Sequence, residues 1–390
     1  MKHHLMNNNI TSDDNKKVIN FLKTNPRLTN GKKVLEFEKK WSKWLGVKYS
    51  VFVNSGTSAN IISLAYLKTK YKQGEIIVPA LTWVSDITSI LYNNFKPVFV
   101  DINLNNLGAS FDKIEKAVNK NTKAIFLTHV LGFNSLSDKL LRLIKKKKIF
   151  LIEDVCESHG ALYKNKKLGT FGNISNFSFY YAHHMSTIEG GMVCTNDKEV
   201  YNTIRILRSH GMLRESNDKK FKDKFISSNK KLNKEFLFLY PGYNFRSTEI
   251  NAIYGINQLK RLNSNNKKRN RNFKFFLDNL DKNLFYTKFD LVGSSNYAFT
   301  ILFNEKYRNK YFRDKFEKRL SSYGIEFRRG MAGGGNQAMQ PYLNSYKKKF
   351  RIFGTLQNTN IIHDYGYYIG NYPDLDKHKI KKICNIINSL

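Results

Sequence analysis

Phe150-Leu151-Ile152-Glu153-Asp154-Val155-Cys156-Glu157-Ser158-His159-Gly160-Ala161 is an apolar run that stops on two adjacent carboxylates and breaks soon after at a glycine. A short run of this kind, Phe150–Ile152, reads as a buried strand, which puts Glu153 and Asp154 at its C-terminal end. Ligands bind at the C-terminal ends of strands in open α/β sheets. A carboxylate buried there needs donors or a cation, and a protonated pyridine nitrogen is one such partner. A helix cap is the competing reading.

Outward from this point the same pattern repeats. Strands are expected at Ser50–Val53, Glu75–Val78, Pro97–Val100, Ala124–Thr128, Ser175–Phe179 and Gly191–Thr195, with helices such as Ser58–Tyr71 and Phe111–Asn119 between them. Alternation of this kind specifies an α/β fold with one large, doubly wound, mostly parallel sheet. From Glu249 to about Leu280 the chain turns helical and basic, after which Ala298–Phe303 reads as a strand and Lys310–Tyr323 as a helix. The expected division is a large domain over residues 1–265, N-terminal segment included, and a smaller C-terminal α+β domain over 266–390, joined through a long helix.

Composition excludes several classes. A chain of 390 residues with 41% hydrophobic and 14% aromatic content is globular and long enough to need no disulfide staple. Cys156, Cys194 and Cys384 are dispersed and cannot form a disulfide framework or a four-thiolate cluster. His3 and His4 lie in a polar terminus with no third ligand nearby, so solvation is expected rather than metal binding. The start has no apolar core of a signal peptide and no run of membrane-spanning length, so a cytoplasmic protein is expected. The net charge of +35 is spread along the chain. It is read as a solvated surface that also favours a phosphorylated small substrate, with nucleic acid not expected as a partner.

Two further segments carry chemistry. Asn54-Ser55-Gly56-Thr57-Ser58-Ala59-Asn60 follows a strand and opens a helix, so its N–H groups, hydroxyls and helix dipole suit an anion. It fits neither a Walker loop nor GxGxxG, and a plain N-cap with a tight turn explains it equally well. In Ile76–Trp83, a buried strand leads into a loop where Trp83 offers a flat face to a planar ligand or simply joins the core.

Taken in order, VNSGTSAN, VPALTWVSD, FVDIN, LIEDVCESHGALYKNKKLGTFG, NFSFYYAHHMSTIEGGMVCTND and YPGYNFRSTEINA resemble the DegT/DnrJ family of pyridoxal-phosphate (PLP) enzymes acting on nucleotide-linked sugars. The likeness runs from about Leu28 to the C-terminus and implies the aspartate-aminotransferase fold (fold type I). It also implies that Gly56, Thr57, Ser58 and Ser178 hold the cofactor phosphate and that Trp83 stacks on its ring. Asp154 would pair with the protonated ring nitrogen, with Glu157 beside it. Asn244 would reach in from a second subunit, making a homodimer. His210, Arg214 and Arg328 would meet the diphosphate of the sugar nucleotide, a plain surface position being the other reading for each arginine. Met331–Asn336 would border the sugar pocket.

One position departs from the family pattern. Where the family carries a Schiff-base lysine before the Glu-Gly-Gly turn, this chain has His183, and no lysine lies between Lys167 and Lys198. This resembles the 3-dehydratase branch of deoxysugar pathways, which implies that His183 is the catalytic base. The cofactor would then be held non-covalently as PLP and its pyridoxamine form (PMP), with glutamate as amino donor. The scattered cysteines do not suit the branch that carries an iron–sulfur cluster and acts on a CDP-linked sugar, so a GDP-linked 4-keto-6-deoxyhexose is expected. A sugar aminotransferase and a non-catalytic basic nucleic-acid-binding descendant are the alternatives. His184 is left as either a packing residue or a second proton carrier.

Overall fold

The computed structural model describes residues 2–390. Its large sheet has eight strands in the spatial order Tyr49–Val53, Gly191–Thr195, Ile174–Ser178, Phe150–Asp154, Thr122–Thr128, Glu75–Pro79, Lys96–Val100 and Arg351–Ile352. Gly191–Thr195 runs antiparallel to both neighbours and the remaining pairs are parallel. Helices cover both faces, which is why runs such as Ile76-Ile77-Val78 are apolar without alternation and fully buried. A second sheet of Ala298–Leu302, Gly366–Gly370 and Phe327–Arg329 forms the smaller unit. Among the described residues no helix is long and apolar enough to cross a membrane.

The helix Glu249–Asn279 joins the two units. Its first half puts Ala252 and Leu262 into the core under the large sheet, and its second half puts Phe273, Phe276 and Leu277 into the core of the small one. The boundary expected at 265/266 therefore falls inside a continuous helix. Glu249 at its start also caps a neighbour. The helix Lys32–Leu45 begins at Gly31, which has no side chain to cap it. The Glu249 carboxylate accepts instead from the N–H groups of Gly31 at 3.1 Å, Lys33 at 3.0 Å and Val34 at 2.9 Å.

Two stretches sit differently from expectation. His3 is buried rather than solvated, and the chain pairs it with Ile325 on the edge of the small sheet while its Nε2–H donates to Gly370 O at 2.9 Å. The first residues thus pack on the small unit, whereas His4 stays exposed beside Glu326. In the other direction, the C-terminal part does not keep to itself. Gln337 N donates to Ala80 O at 2.9 Å, Leu343 and Leu356 enter the large-domain core, and Arg351–Ile352 adds the edge strand.

The core tolerates little extra volume where the long helix meets Phe37. A Cβ on Gly255 would lie 2.5–2.7 Å from three carbons of the Phe37 ring, which Trp41, Phe52 and Phe179 hold in place. Gly255→Ala should therefore destabilise the protein by about 1–2 kcal/mol despite the better helix propensity of alanine. Chemical denaturation checks this, and an unchanged or raised midpoint would show that the ring yields.

Candidate active site

Because successive residues of a strand face opposite ways, Glu153 and Asp154 part company at the end of Phe150–Asp154. Glu153 turns into the protein and accepts from the N–H groups of Gly169 at 3.0 Å, Phe171 at 2.9 Å and Gly172 at 2.6 Å. Asp154 turns to a cavity of about 280 Å³. Its neighbours across the sheet are Thr128 and Asn176, set opposite it by the parallel register. Cys156 N–H donates to Asp154 Oδ1 at 2.8 Å, and Asn60 Nδ2 lies 3.4 Å from Oδ2.

The same cavity is lined by Gly56, Thr57, Trp83, Glu157, Ser178 and His183. Gly56 is the first residue of the helix Gly56–Lys70, capped by Ser55, whose hydroxyl accepts from Ser58 N–H at 3.0 Å. A Cβ on Gly56 would stand 2.6 Å from Ser178 Cβ, so only glycine lets the helix N-terminus and the Ser178 hydroxyl share one wall. That wall has the donor set of an anion cradle. The N-cap reading of this segment is observed, and the turn leaves N–H groups of the first helical residues on that wall. Ser58 is buried behind the wall with its hydroxyl donating to Asn54 Oδ1 at 2.6 Å, and it does not line the cavity. Trp83 is 52% exposed on the cavity rim and is no core residue.

His183 sits opposite Asp154. Burial pushes its ring from the ordinary histidine value down to about 4, against the upward pull of the Asp154 charge. Its Nδ1 is buried without a partner. Behind it lie His159, 6.1 Å away between ring centroids, and His184, stacked on His159 at 5.2 Å. His184 Nε2–H donates to Ser295 O at 2.9 Å, and neither nitrogen of His159 has a partner. Burial lowers both rings as well, each reinforced by its neighbours' charge. Glu157 is pushed up to about 7 by burial and by Asp154, opposed by the Leu131 N–H that donates to it at 2.8 Å.

Four expected site residues lie elsewhere on this chain. Asn244 is exposed and accepts from Arg246 Nε at 3.1 Å, and Arg246 reaches the exposed His210 at 3.5 Å. Arg214 is exposed, donates to Glu235 O at 3.2 Å and stands over the Phe236 ring. Arg328 is exposed on the small sheet. The cavity also takes residues that no sequence pattern singles out, among them Met6, Thr128, Tyr180, Tyr297 and Tyr368. Ala332 and Gly333 of the Gly-rich stretch Met331–Asn336 line it too.

A helix N-terminus built to take an anion, an exposed indole, a buried carboxylate with only neutral partners and an unpaired imidazole all face one space at the strand ends. This donor set fits a pyridoxal phosphate, and the architecture is that of the PLP-dependent aminotransferase-like folds. The chain belongs to the DegT/DnrJ/EryC1/StrS aminotransferase family, which matches residues 8–388. It is 33% identical over 351 residues to the GDP-4-keto-6-deoxy-D-mannose 3-dehydratase of Escherichia coli O55:H7, a match covering 88% of this chain and 89% of that one. A solved GDP-4-keto-6-deoxymannose-3-dehydratase with a trapped PLP-glutamate geminal diamine superposes with a TM-score of 0.88 at 29% identity, covering 99% of this chain and 100% of the other. A mutant of such an enzyme with bound GDP-perosamine gives 0.89 at 28% identity, with coverage of 99% and 100%.

The buried histidines give the fold a signed pH dependence. His3 and His183 are lowered to about 4, and His159 and His184 are lowered as well. Below the unfolded value of about 6.5 the unfolded chain therefore binds protons that the folded one does not. The histidine contribution to stability should be full above that pH and fall as pH drops toward 4, while the raised Glu157 works in the opposite sense. Thermal melts at pH 7.5 and pH 5 check this, and His159→Phe should shrink the difference between them.

Proposed function

We propose that this protein is a PLP/PMP-dependent 3-dehydratase that removes the C3 hydroxyl of a nucleotide-linked 4-keto-6-deoxyhexose, with GDP-4-keto-6-deoxy-D-mannose as substrate. Glutamate is the amino donor and ammonia is released. The observation that carries this reading is His183, a neutral imidazole on the cavity wall in a stretch, Leu168–Asp197, that contains no lysine. The names of the relatives support the substrate, and the trapped PLP-glutamate species of the solved relative supports the donor.

When bound, the cofactor supplies an amine that condenses with the sugar ketone and a ring that accepts electrons. The chain holds and steers it. The N–H groups at Gly56 and Thr57 and the Ser178 hydroxyl take the phosphate, with Ser58 fixing the turn from behind. Trp83 covers one face of the ring. Asp154 keeps the ring nitrogen protonated, because a nearby carboxylate favours the charged form. Glu157, able to hold a proton at neutral pH, lies beside it. His183 takes a proton from the reacting centre and returns it to the departing C3 hydroxyl, the work of a base that is uncharged at neutral pH. A lysine would hold the cofactor covalently and favour transamination, so the histidine leaves it non-covalent.

The reading includes a homodimer of the cytoplasm. Asn244 and His210, together with Arg214, are exposed on one side of this chain and serve the partner's site, Asn244 at the phosphate and the cations at the diphosphate. Arg328 meets the diphosphate from the small unit. Guanidinium forks suit phosphate oxygens in both places.

The test is incubation with pyridoxal phosphate, glutamate and GDP-4-keto-6-deoxymannose, following ammonia and product mass. Net deoxygenation with ammonia release is expected. A 4-amino sugar without ammonia would make the protein an aminotransferase instead. His183→Asn should lower turnover by at least about a hundredfold, within the range of a lost general base, while cofactor binding measured by absorbance stays unchanged. Full turnover in that variant would remove His183 from the reaction.

A further inference from the structure

Asp86 lies in the first turn of the helix Val84–Tyr92 and is fully buried. Its Oδ1 accepts from Asn60 Nδ2 at 2.7 Å. Its Oδ2 accepts from Thr128 Oγ1 at 2.7 Å and from the Thr82 hydroxyl. Asn60 Nδ2 also reaches Asp154 Oδ2 at 3.4 Å, so one amide bridges the two acids. Asn176 Nδ2 fixes Asn60 from the other side at 2.9 Å, and Ser63 holds Asn176 at 2.8 Å. Every partner in this network other than the two acids is an amide or a hydroxyl.

Two carboxylates this close, both out of water and without a cation, cannot both be ionised at neutral pH. One of the two therefore holds a proton. The cavity decides which, because Asp154 lines it and Asp86 does not. Burial and the Asp154 charge both push Asp86 well above the carboxylate range. The other titratable groups facing the pair are Cys156, Glu157, Tyr342 and His183; the first three carry no positive charge, and burial holds the His183 ring neutral at neutral pH.

We propose that Asp86 is a positioning residue that holds a proton, anchors the Asn60 amide between the two acids and so leaves the single negative charge of the pair on Asp154, facing the ring nitrogen of the cofactor. Asn60, held by Asp86 and Asn176, contacts Asp154 Oδ2 and helps fix the carboxylate that lines the cavity. With Asp86 uncharged, no second anion raises the basicity of Asp154, so the shared proton of the ring nitrogen stays on the ring. This rests on the cofactor reading above, but the protonation of Asp86 is a property of the chain alone.

Asp86→Asn keeps a neutral donor of the same shape, and Asp86→Leu removes it. Binding of pyridoxal phosphate, followed by the absorbance of the bound cofactor, should change by less than about threefold in Asp86→Asn and weaken by about tenfold or more in Asp86→Leu, the size of a lost hydrogen bond to a charged group. Infrared difference spectra of the cofactor-free wild type against Asp86→Asn at neutral pH should show a protonated-carboxyl band belonging to the wild type. Absence of that band overturns the proposal, whether or not the leucine variant folds. Loss of binding in Asp86→Asn as large as in Asp154→Asn overturns it too, since Asp86 would then carry the charge. If the wild type binds no pyridoxal phosphate, the cofactor reading fails while the infrared band still decides the pair.

Discussion

A carboxylate at the buried end of a parallel strand loses the water that would have solvated it, and Asp154 is 3% exposed in that position. The sheet register sets Thr128 and Asn176 beside it, so its surroundings are fixed by the same pairing that builds the fold. What the chain offers Asp154 is modest, namely one N–H, one distant amide and a second acid. Such a group is poorly compensated by the protein itself and is best satisfied by a cation arriving in the cavity. The fold thus leaves a specific electrostatic deficit on the cavity wall, and the proposed cofactor, with its protonated ring, would meet it. The anion cradle at Gly56 and the indole of Trp83 flank that place.

The same charge constrains what can stand opposite. Asp154 pulls the imidazole of His183 toward protonation, while burial drives it the other way, and burial wins. A lysine in that position would start as a cation and be held by the carboxylate. The histidine stays neutral because it is buried, with the rings of His159, Tyr180 and Tyr297 around it. A proton acceptor next to a negative charge is therefore kept available by packing rather than by a partner hydrogen bond.

The parts of this arrangement that were legible in the sequence are those with a strong local pattern. Gly191–Thr195 is reproduced to the residue, and the other large-sheet strands differ from expectation by a residue or two, because apolar runs covered on both faces end sharply. Where pattern and burial diverge, the reading fails. Arg351–Ile352 is a two-residue edge strand with a charged member and leaves no periodic trace. His3 looks solvated because its neighbours are polar, yet its burial is decided by Ile325 and Gly370, more than 300 residues away. The helix Val84–Tyr92 was hidden by a tryptophan cap, and Asp86 within it passes for an ordinary first-turn acid. Asn244, His210 and Arg214 carry family resemblance but take no part in the cavity of their own chain.

The cavity is also a joint between units. Met6 and Ala332-Gly333 reach it from the two stretches that crossed the expected domain boundary, Tyr297 comes from just before the small sheet and Tyr368 from within it. The loop that bears His183 is tied from both sides, since Asn9 Nδ2 donates to His183 O at 3.3 Å and Gln258 Oε1 accepts from Ser186 N–H at 3.0 Å. Gln258 stands on the linking helix, and Asn9 is held by Arg261 on the same helix at 2.8 Å. One continuous helix therefore sets both the placement of the small sheet and the position of the His183 loop. Continuity there has a physical purpose, because a hinge between Leu262 and Phe273 would let His183 and Asp154 drift apart.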